Sequence, residues 1–438
     1  MISETQAGDP TRLRHSSERR MIRPSGPNAI SPDNARSDSW SVESKPIKIA
    51  LLTGGWDKPY ALGLTRALIA KGVEVDFLGT ADLDAPELHS DPAIRFFSLH
   101  GAPTGRRGDK VFRTLKYYWR TIVYAVHAKP KIFHILWCTK FPTFDRTILT
   151  LFYKVLGKRL VFTAHNVNAG KRDGDDSWWN RLTLKIQYQL TDHIFVHTER
   201  MKEELVADFQ VQNHKVSVIP FGINNTVPNT DLTTAQARDK LGLGGADKAM
   251  LFFGNILPYK GLEHLLSAFT ELAKECPEYR LIIAGKPKVT PRDCQNYWSA
   301  IQEQIAQSGV CDRIIERFEY IPDEQTEIFF KAADVLILPY THIFQSGVLF
   351  LSYNFGLPVI ASEVGSLKDE IIEGTTGFTC RPRDSQDLKR AIRNYFSSAL
   401  CEKSHSRRRQ VRDFATGKYS WQIVAKMIGG LYEKLLGQ

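Results

Sequence analysis

The chain has 438 residues, 42% of them hydrophobic and 24% charged, with a formal net charge of +10, which is enough for two or three globular domains with sizeable cores. The basic balance suits nucleic acid, an anionic membrane surface or a phosphorylated substrate and does not choose among them. No stretch reaches the roughly 18 to 20 uninterrupted apolar residues of a membrane helix. The six cysteines (Cys138, Cys276, Cys294, Cys311, Cys380, Cys401) include no Cys-x-x-Cys pair and no His at metal spacing. That argues against a zinc site or a disulfide framework and fits a reducing cytoplasm.

Residues 1–45 are rich in Ser, Arg, Pro, Asn and Asp, lack apolar periodicity and read as a disordered leader. The pair Arg19-Arg20 is not followed by the apolar region of an export signal. Residues 47–52 form a β-prone run that ends in Thr53-Gly54-Gly55. A helical pattern with Tyr60, Leu64 and Leu68 on one face follows, and 73–78 alternates as a second strand, giving a βαβ unit with a glycine turn at the strand's C-terminal end. Arg106, Lys110, Arg113 and Arg120, with Lys116 nearby, fall at helical spacing, while Phe112, Leu115, Trp119 and Ile122 line another face; such a stripe suits an anionic bilayer. Strand candidates at 132–136, 160–164, 193–196 and 216–219 alternate with helical stretches, which implies a parallel, doubly wound sheet. A polar segment around Pro228 separates this half from a second one of the same style. There, strands at 249–253, 280–284, 314–318, 335–338 and 359–361 alternate with helices at 261–274, 297–307, 325–332 and 348–355. The simplest architecture is α/β: two Rossmann-like domains, 46–228 and 229–405, facing one cleft. The C-terminal segment 406–438 carries a helix at 421–436 that packs back across the domains.

Two segments carry chemistry. Gly254-Asn255-Ile256-Leu257-Pro258-Tyr259-Lys260-Gly261 lies at the C-terminal end of a strand and opens a helix. In an open α/β sheet ligands bind at that edge, and a lysine there places a point charge against a phosphate. Phe344-Gln345-Ser346-Gly347-Val348 is a turn that opens an apolar helix, whose first N–H groups lack intrahelical partners and sit at the positive end of its dipole. A lysine and a helix N-terminus converging on a diphosphate would stabilise a nucleoside diphosphate leaving group.

These segments stand in order with Ala332-Ala333-Asp334-Val335-Leu336-Ile337-Leu338-Pro339-Tyr340, Gly356-Leu357-Pro358-Val359-Ile360-Ala361-Ser362, Gly365 and Gly374-Thr375-Thr376-Gly377-Phe378. The first half adds Gly54-Gly55, Thr163-Ala164-His165-Asn166 and Ile219-Pro220-Phe221-Gly222-Ile223. Together, over about residues 46–438, they resemble the family 4, or group 1, glycosyltransferases of the GT-B fold. The resemblance implies transfer of a hexose-type sugar from a nucleotide-sugar donor to an acceptor, with retention of anomeric configuration and without a required metal or other cofactor. It implies that the donor sits mainly on the second domain, with Lys260 on its diphosphate, Asn255 and Gln345 nearby, and Ser346, Gly347 and Val348 offering backbone N–H groups. His165 would reach the transferred sugar near the reacting centre, and Gly54 and Gly55 would form the loop where acceptor and leaving phosphate approach. A glycan or lipid-linked acceptor at the inner face of a membrane would suit the basic stripe. Nucleic acid is disfavoured, because the basic residues lack interleaved aromatic platforms.

Two departures from the family pattern stand out. The positions of its Glu-x7-Glu pair hold Ile343 and Leu351, and the arginine beside the lysine is replaced by Asn255 or Leu257, depending on alignment. Gln345, Ser346 and Ser352 are candidates to take over hydroxyl contacts, and Lys286 to restore the missing cation. An epimerase of the same fold and a non-catalytic sugar-nucleotide-binding scaffold remain alternatives.

Overall fold

The structure is a computed structural model that describes residues 46–100, 107–139, 141–173, 176–290, 292–402 and 404–437. The expected leader and Arg106 lie outside them. Residues 46–437 carry two parallel sheets.

The first sheet comprises β1 (Lys48–Leu52), β2 (Glu74–Thr80), β3 (Ile94–His100), β4 (Ile132–Ile135), β5 (Arg159–Thr163), β6 (His193–Val196) and β7 (Val216–Val218), in the order β3-β2-β1-β4-β5-β6-β7. The second comprises β8 (Lys248–Phe253), β9 (Tyr279–Ala284), β10 (Ile314–Arg317), β11 (Val335–Leu338), β12 (Val359–Ser362) and β13 (Gly377–Cys380), in the order β10-β9-β8-β11-β12-β13. Central strands such as β4, β6, β11 and β12 are buried at every residue. Helices cover both of their faces, so their sequences read as largely apolar instead of alternating, with His134 on β4, His193 on β6 and Ser362 at the end of β12 as the polar exceptions. The chain reverses direction across each sheet at its first strand, between β1 and β4 and between β8 and β11. Crevices form at such switch points, outside the strands' C-terminal ends. β3 and β13 are additional to the strands legible in the sequence; both are edge strands with polar or glycine-containing sequences.

Five helices position the cleft and the flanking surface: α1 (Lys58–Ile69), α2 (Arg107–His127), α3 (Gly347–Asn354), α4 (Ser404–Tyr419) and α5 (Trp421–Leu436). The C-terminal helix does cross back to the first domain. Trp421 donates from its indole Nε1 to the Ile223 carbonyl at 2.8 Å, and its ring occupies the space that a Cβ on Gly63 or Gly222 would need, at 2.3 and 2.4 Å. Further along α5, the Tyr432 hydroxyl lies 2.6 Å from His134 Nδ1 on β4. The outgoing and returning crossings are tied by the Ile223 N–H, which donates to the Tyr419 carbonyl at the end of α4 at 3.0 Å.

On α2 the outward face is apolar: Phe112, Leu115 and Trp119 are 67%, 64% and 68% exposed, and Val123 and Val126 continue the same line. Ile122, which the sequence places with them, lies at the edge of this face, half-buried against the first domain's core. Arg113, Lys116 and Arg120 follow the exposed apolar residues one position on, which sets a basic stripe about 100° round the helix. The side chain of Lys110 is outside what is described.

Candidate active site

Three consecutive strand ends of the first domain build one wall. After β4 comes Trp137, after β5 His165 and after β6 His197. His165 stacks flat on Trp137, with ring centroids 4.2 Å apart and planes at 5°, and meets the edge of Tyr60 from α1 at 4.6 Å. Its Nδ1 lies 3.1 Å from His197 Nε2, while its Nε2 is buried without a hydrogen-bond partner. Desolvation is the main reason that His165 is held well below the usual histidine range, with the neighbouring His197 adding to it. Burial likewise lowers His197 to about 4.

Gly54 and Gly55 end β1 with φ of +62° and +84°. A Cβ on Gly54 would stand 2.6 Å from the Trp137 carbonyl oxygen, and one on Gly55 2.8 Å from Thr80 Cγ2. The bare backbone is therefore a condition of closing the β1/β4 crevice over Trp137.

The opposite wall belongs to the second domain. Lys260 sits on a single 3-10 turn, Pro258–Lys260, after β8. Gly261 ends this turn at φ +65°, and a side chain there would collide with the Pro339 carbonyl oxygen, 2.1 Å from its Cβ position. The Thr341 N–H donates to the Tyr259 carbonyl at 2.8 Å, so the turns after the adjacent strands β8 and β11 are bound together. The result is a lysine that is only 6% exposed as a residue. Its Nζ lies 2.9 Å from the Cβ position of Gly254 and 5.5 Å from the centre of the Tyr340 ring. Among the described residues nothing forms a hydrogen bond or ion pair with Lys260 Nζ. Burial pushes its pKa down, because the charged form has lost water without gaining a counter-ion.

Next to it α3 begins. A Cβ on Gly254 would lie 3.7 Å from Val348 Cγ2, which places the helix start beside the lysine. Ser346 is the N-cap residue but its hydroxyl makes no capping bond, leaving the first N–H groups without a side-chain acceptor. Ser346 Oγ and both amide atoms of Gln345 are buried with no hydrogen-bond partner. So is Oγ of Ser366, a residue tied to the same turn by its N–H, which donates to the Phe344 carbonyl at 2.9 Å. Nothing stands within 4 Å of a Cβ built on Gly347, so the space in front of the helix is open. Buried polar atoms are nearly always paired in native proteins, so orphans gathered around one helix N-terminus point to an absent ligand. Ser352 does not join them: it is fully buried and donates to the Leu357 carbonyl at 2.8 Å, serving the helix-to-strand turn and not a hydroxyl of a ligand.

The two walls meet through Phe221. Its ring lies 6.0 Å from His165 and stacks at 5.0 Å on Phe350 of α3. Beside β8 and β9 a pocket of about 220 Å³ is lined by Asn255, Lys286, Tyr320, Ile321, Asp323 and Leu351, with Gly254 and Gly285 at its floor. Leu351 thus faces a cavity to which it offers no hydroxyl chemistry, and Asp323, raised in pKa chiefly by burial, is a carboxyl group on the same wall. Lys286 lines the same pocket. All predicted site residues from Asn255 to Val348 therefore fall on one side of the cleft and Gly54, Gly55 and His165 on the other. His197, Trp137 and Asp323 were not singled out in the sequence: each is isolated there, and only strand order makes it a neighbour. Among the described residues no three His, Cys, Asp or Glu side chains are grouped as metal ligands.

Comparison with known proteins identifies the family and the fold. Residues 59–226 match the model of Glycosyltransferase Family 4, and residues 233–414 match that of the Glycosyl transferases group 1. A D-inositol 3-phosphate glycosyltransferase of Corynebacterium efficiens is 26% identical over 290 residues, 63% of this chain and 65% of that protein, so the match spans less than two thirds of the relative's length. Among solved structures, sucrose-phosphate synthase from Thermosynechococcus elongatus superimposes with a TM-score of 0.70 at 21% identity, covering 90% of this chain and all of that one. Anabaena Alr3699/HepE in complex with UDP-glucose superimposes at 0.68 and 16% identity, covering 89% of this chain and all of that one. With both family models matched in order along one chain and two doubly wound sheets facing each other, the protein belongs to the family 4, group 1 glycosyltransferases and has the GT-B fold.

Proposed function

We propose that this protein transfers a hexose-type sugar from a nucleotide-sugar donor to an acceptor, with retention and without a metal ion. The observation that carries this reading is the buried, unpaired ammonium of Lys260 beside the uncapped N-terminus of α3. Both are positive, both lack partners, and the space before Gly347 is open; a diphosphate satisfies all three conditions at once. As the glycosidic bond breaks, negative charge grows on the diphosphate, and fixed positive groups in a dry site stabilise it without reorganising. That task falls to Lys260, the N–H groups of Gly347 and Val348, and Lys286, and the donor phosphate is then placed to take the acceptor's proton. The 220 Å³ pocket suits the nucleoside, with Tyr320 and Ile321 as apolar wall and Asp323 as the acceptor for ribose hydroxyls in place of Leu351. Gln345 and Ser346 are left to hold the sugar's hydroxyls from one side and His165 from the other. The UDP-glucose complex of the Anabaena neighbour supports a uridine nucleotide.

For the acceptor, the exposed apolar line on α2 with its adjacent basic stripe favours a lipid-linked sugar or polysaccharide precursor presented at an anionic membrane surface, contacted peripherally from the cytoplasmic side. No helix among the described residues is long and apolar enough to cross a membrane. A thermal-shift screen of UDP-, GDP- and ADP-sugars, followed by measurement of nucleoside diphosphate release, tests the donor reading. At least one donor should raise the melting temperature and be slowly hydrolysed without acceptor. A protein that binds a sugar nucleotide but never releases the diphosphate is the scaffold of the alternative reading, and one that binds none has a different ligand.

A further inference from the structure

The pairing of His165 with His197 fixes more than the position of a ring. His197 Nδ1 lies 3.3 Å from the carbonyl oxygen of Ile219, and its Nε2 lies 3.1 Å from His165 Nδ1. A backbone carbonyl can only accept, so the proton of a neutral His197 must reside on Nδ1; the other tautomer would set a nitrogen lone pair against an oxygen lone pair. Burial keeps His197 neutral near pH 7. Its Nε2 is then a bare acceptor, and the contact with His165 requires the proton on His165 Nδ1. His165 is also neutral, for the same reason, and one proton is all it has. Its Nε2, buried and without a partner, is therefore left as a bare lone pair. The third buried histidine of this region does not interfere: His134 is satisfied by the Tyr432 hydroxyl at 2.6 Å and the Thr163 hydroxyl at 2.7 Å.

We propose that His197 is a positioning residue, anchored on the Ile219 carbonyl, that locks His165 as the Nδ1–H tautomer so that Nε2 meets the substrate as a hydrogen-bond acceptor. The inference rests on the reading that His165 faces the transferred sugar, and it narrows that reading: the partner of Nε2 is a hydroxyl group that donates, not a phosphate or carbonyl oxygen. The anchor also carries a consequence for the crossing. Ile219 begins the segment Ile219-Pro220-Phe221-Gly222 that leads to the second domain, and its own N–H donates to the carbonyl of Val196, the residue before His197, at 2.8 Å. The relay thus starts where one domain hands over to the other, and Phe221 of the same segment touches both His165 and His197. Restricting the tautomer in advance spares the substrate the cost of reorganising it.

The test uses the full chain labelled with ¹⁵N-histidine, with His165 assigned by comparison with His165→Asn. Long-range ¹H–¹⁵N spectra at pH 7 should report the Nδ1–H tautomer for His165 in the wild type. His197→Phe, which fills the site but offers no acceptor, should shift His165 towards the Nε2–H form, whereas His197→Gln, whose amide oxygen can accept from Nδ1, should keep it. If His197→Phe does not fold, the wild type and His197→Gln still decide. An Nε2–H tautomer in the wild type, or one unchanged in His197→Phe, overturns the proposal. In parallel, kcat/KM for the donor that the protein hydrolyses should fall about tenfold to a hundredfold in His197→Phe and be largely restored in His197→Gln. Equal losses in both variants would make His197 a packing residue only. If the tautomer results hold but His165→Ala leaves turnover intact, the relay stands and the assignment of the sugar to His165 is what fails.

Discussion

Replacing Lys260 by Met keeps most of the stem's volume and removes the ammonium, and the structure dictates opposite effects on stability and on binding. In the free protein the charge is buried with no counter-ion, and its contact with the Tyr340 face at 5.5 Å returns only about 1 kcal/mol. A buried polar group left unsatisfied costs about 1–3 kcal/mol. Lys260→Met should therefore stabilise the ligand-free protein by about 1 kcal/mol, an example of stability withheld at a functional site. With a diphosphate in place, the same group makes a charge-assisted contact of about 1.5–3 kcal/mol, so the dissociation constant of the preferred nucleotide sugar should rise roughly tenfold to a hundredfold. Turnover should drop further still, since the charge on the leaving group is greatest in the transition state. Urea unfolding of the free protein and calorimetric titration with the donor measure the two effects. A variant that is less stable than the wild type and binds donor equally well would refute the reasoning, because the lysine would then be a structural cation whose partner had been overlooked.

Gly261→Ala should cost more than the usual Gly-to-Ala change, about 2 kcal/mol or above, because a positive φ and the Pro339 carbonyl at 2.1 Å both oppose the methyl group; thermal denaturation measures it, and a neutral result would mean that the β8 and β11 turns can separate freely. Leu115→Glu/Trp119→Glu should abolish co-sedimentation with phosphatidylglycerol liposomes and leave melting temperature unchanged, as these residues are 64% and 68% exposed; binding that survives would remove the membrane assignment. The buried histidines set a sign for pH. His197 has a folded pKa of about 4, below its unfolded value, so the unfolded chain takes up the proton first and the neutral ring's contribution to stability, complete above pH 6.5, is lost as pH falls through that value. Between pH 6.5 and 5.5 the stability of the wild type relative to His197→Gln should fall by about 1 kcal/mol, read from urea midpoints at the two pH values; a difference that grows on acidification would contradict a neutral, buried His197. Asp323→Asn should weaken binding of UDP and of its sugar alike by roughly tenfold, with kcat little changed; an effect confined to kcat would place Asp323 at the reacting centre instead of on the ribose.

Much of the architecture was legible in the sequence because doubly wound sheets announce themselves: central strands are buried on both faces, so 132–136, 193–196 and 335–338 are largely apolar, and the glycines that follow β1, β8 and β9 sit at positive φ where a close approach excludes a side chain. The edge strands β3 and β13 carry no such signal, since half of each faces solvent or a turn. The segments at Lys260 and Gly347 that we propose hold the diphosphate were also readable, because their chemistry is local: a lysine on a turn of a few residues, and the first N–H groups of one helix. Which isolated residues meet depends on how the strands and helices pack. Ser352 looked available in the sequence and is committed to the Leu357 carbonyl, and Ile122 lies half-buried against the core. His197 carried no signal of its own, yet parallel strand order brings it against His165, 32 residues earlier, because strands β5 and β6 are neighbours whose ends open on one crevice. Sequence determines the period, the caps and the turns, which depend on residues a few positions apart; the protonation, tautomer and partners of a side chain depend on what burial places around it, and that is settled only when the sheet closes.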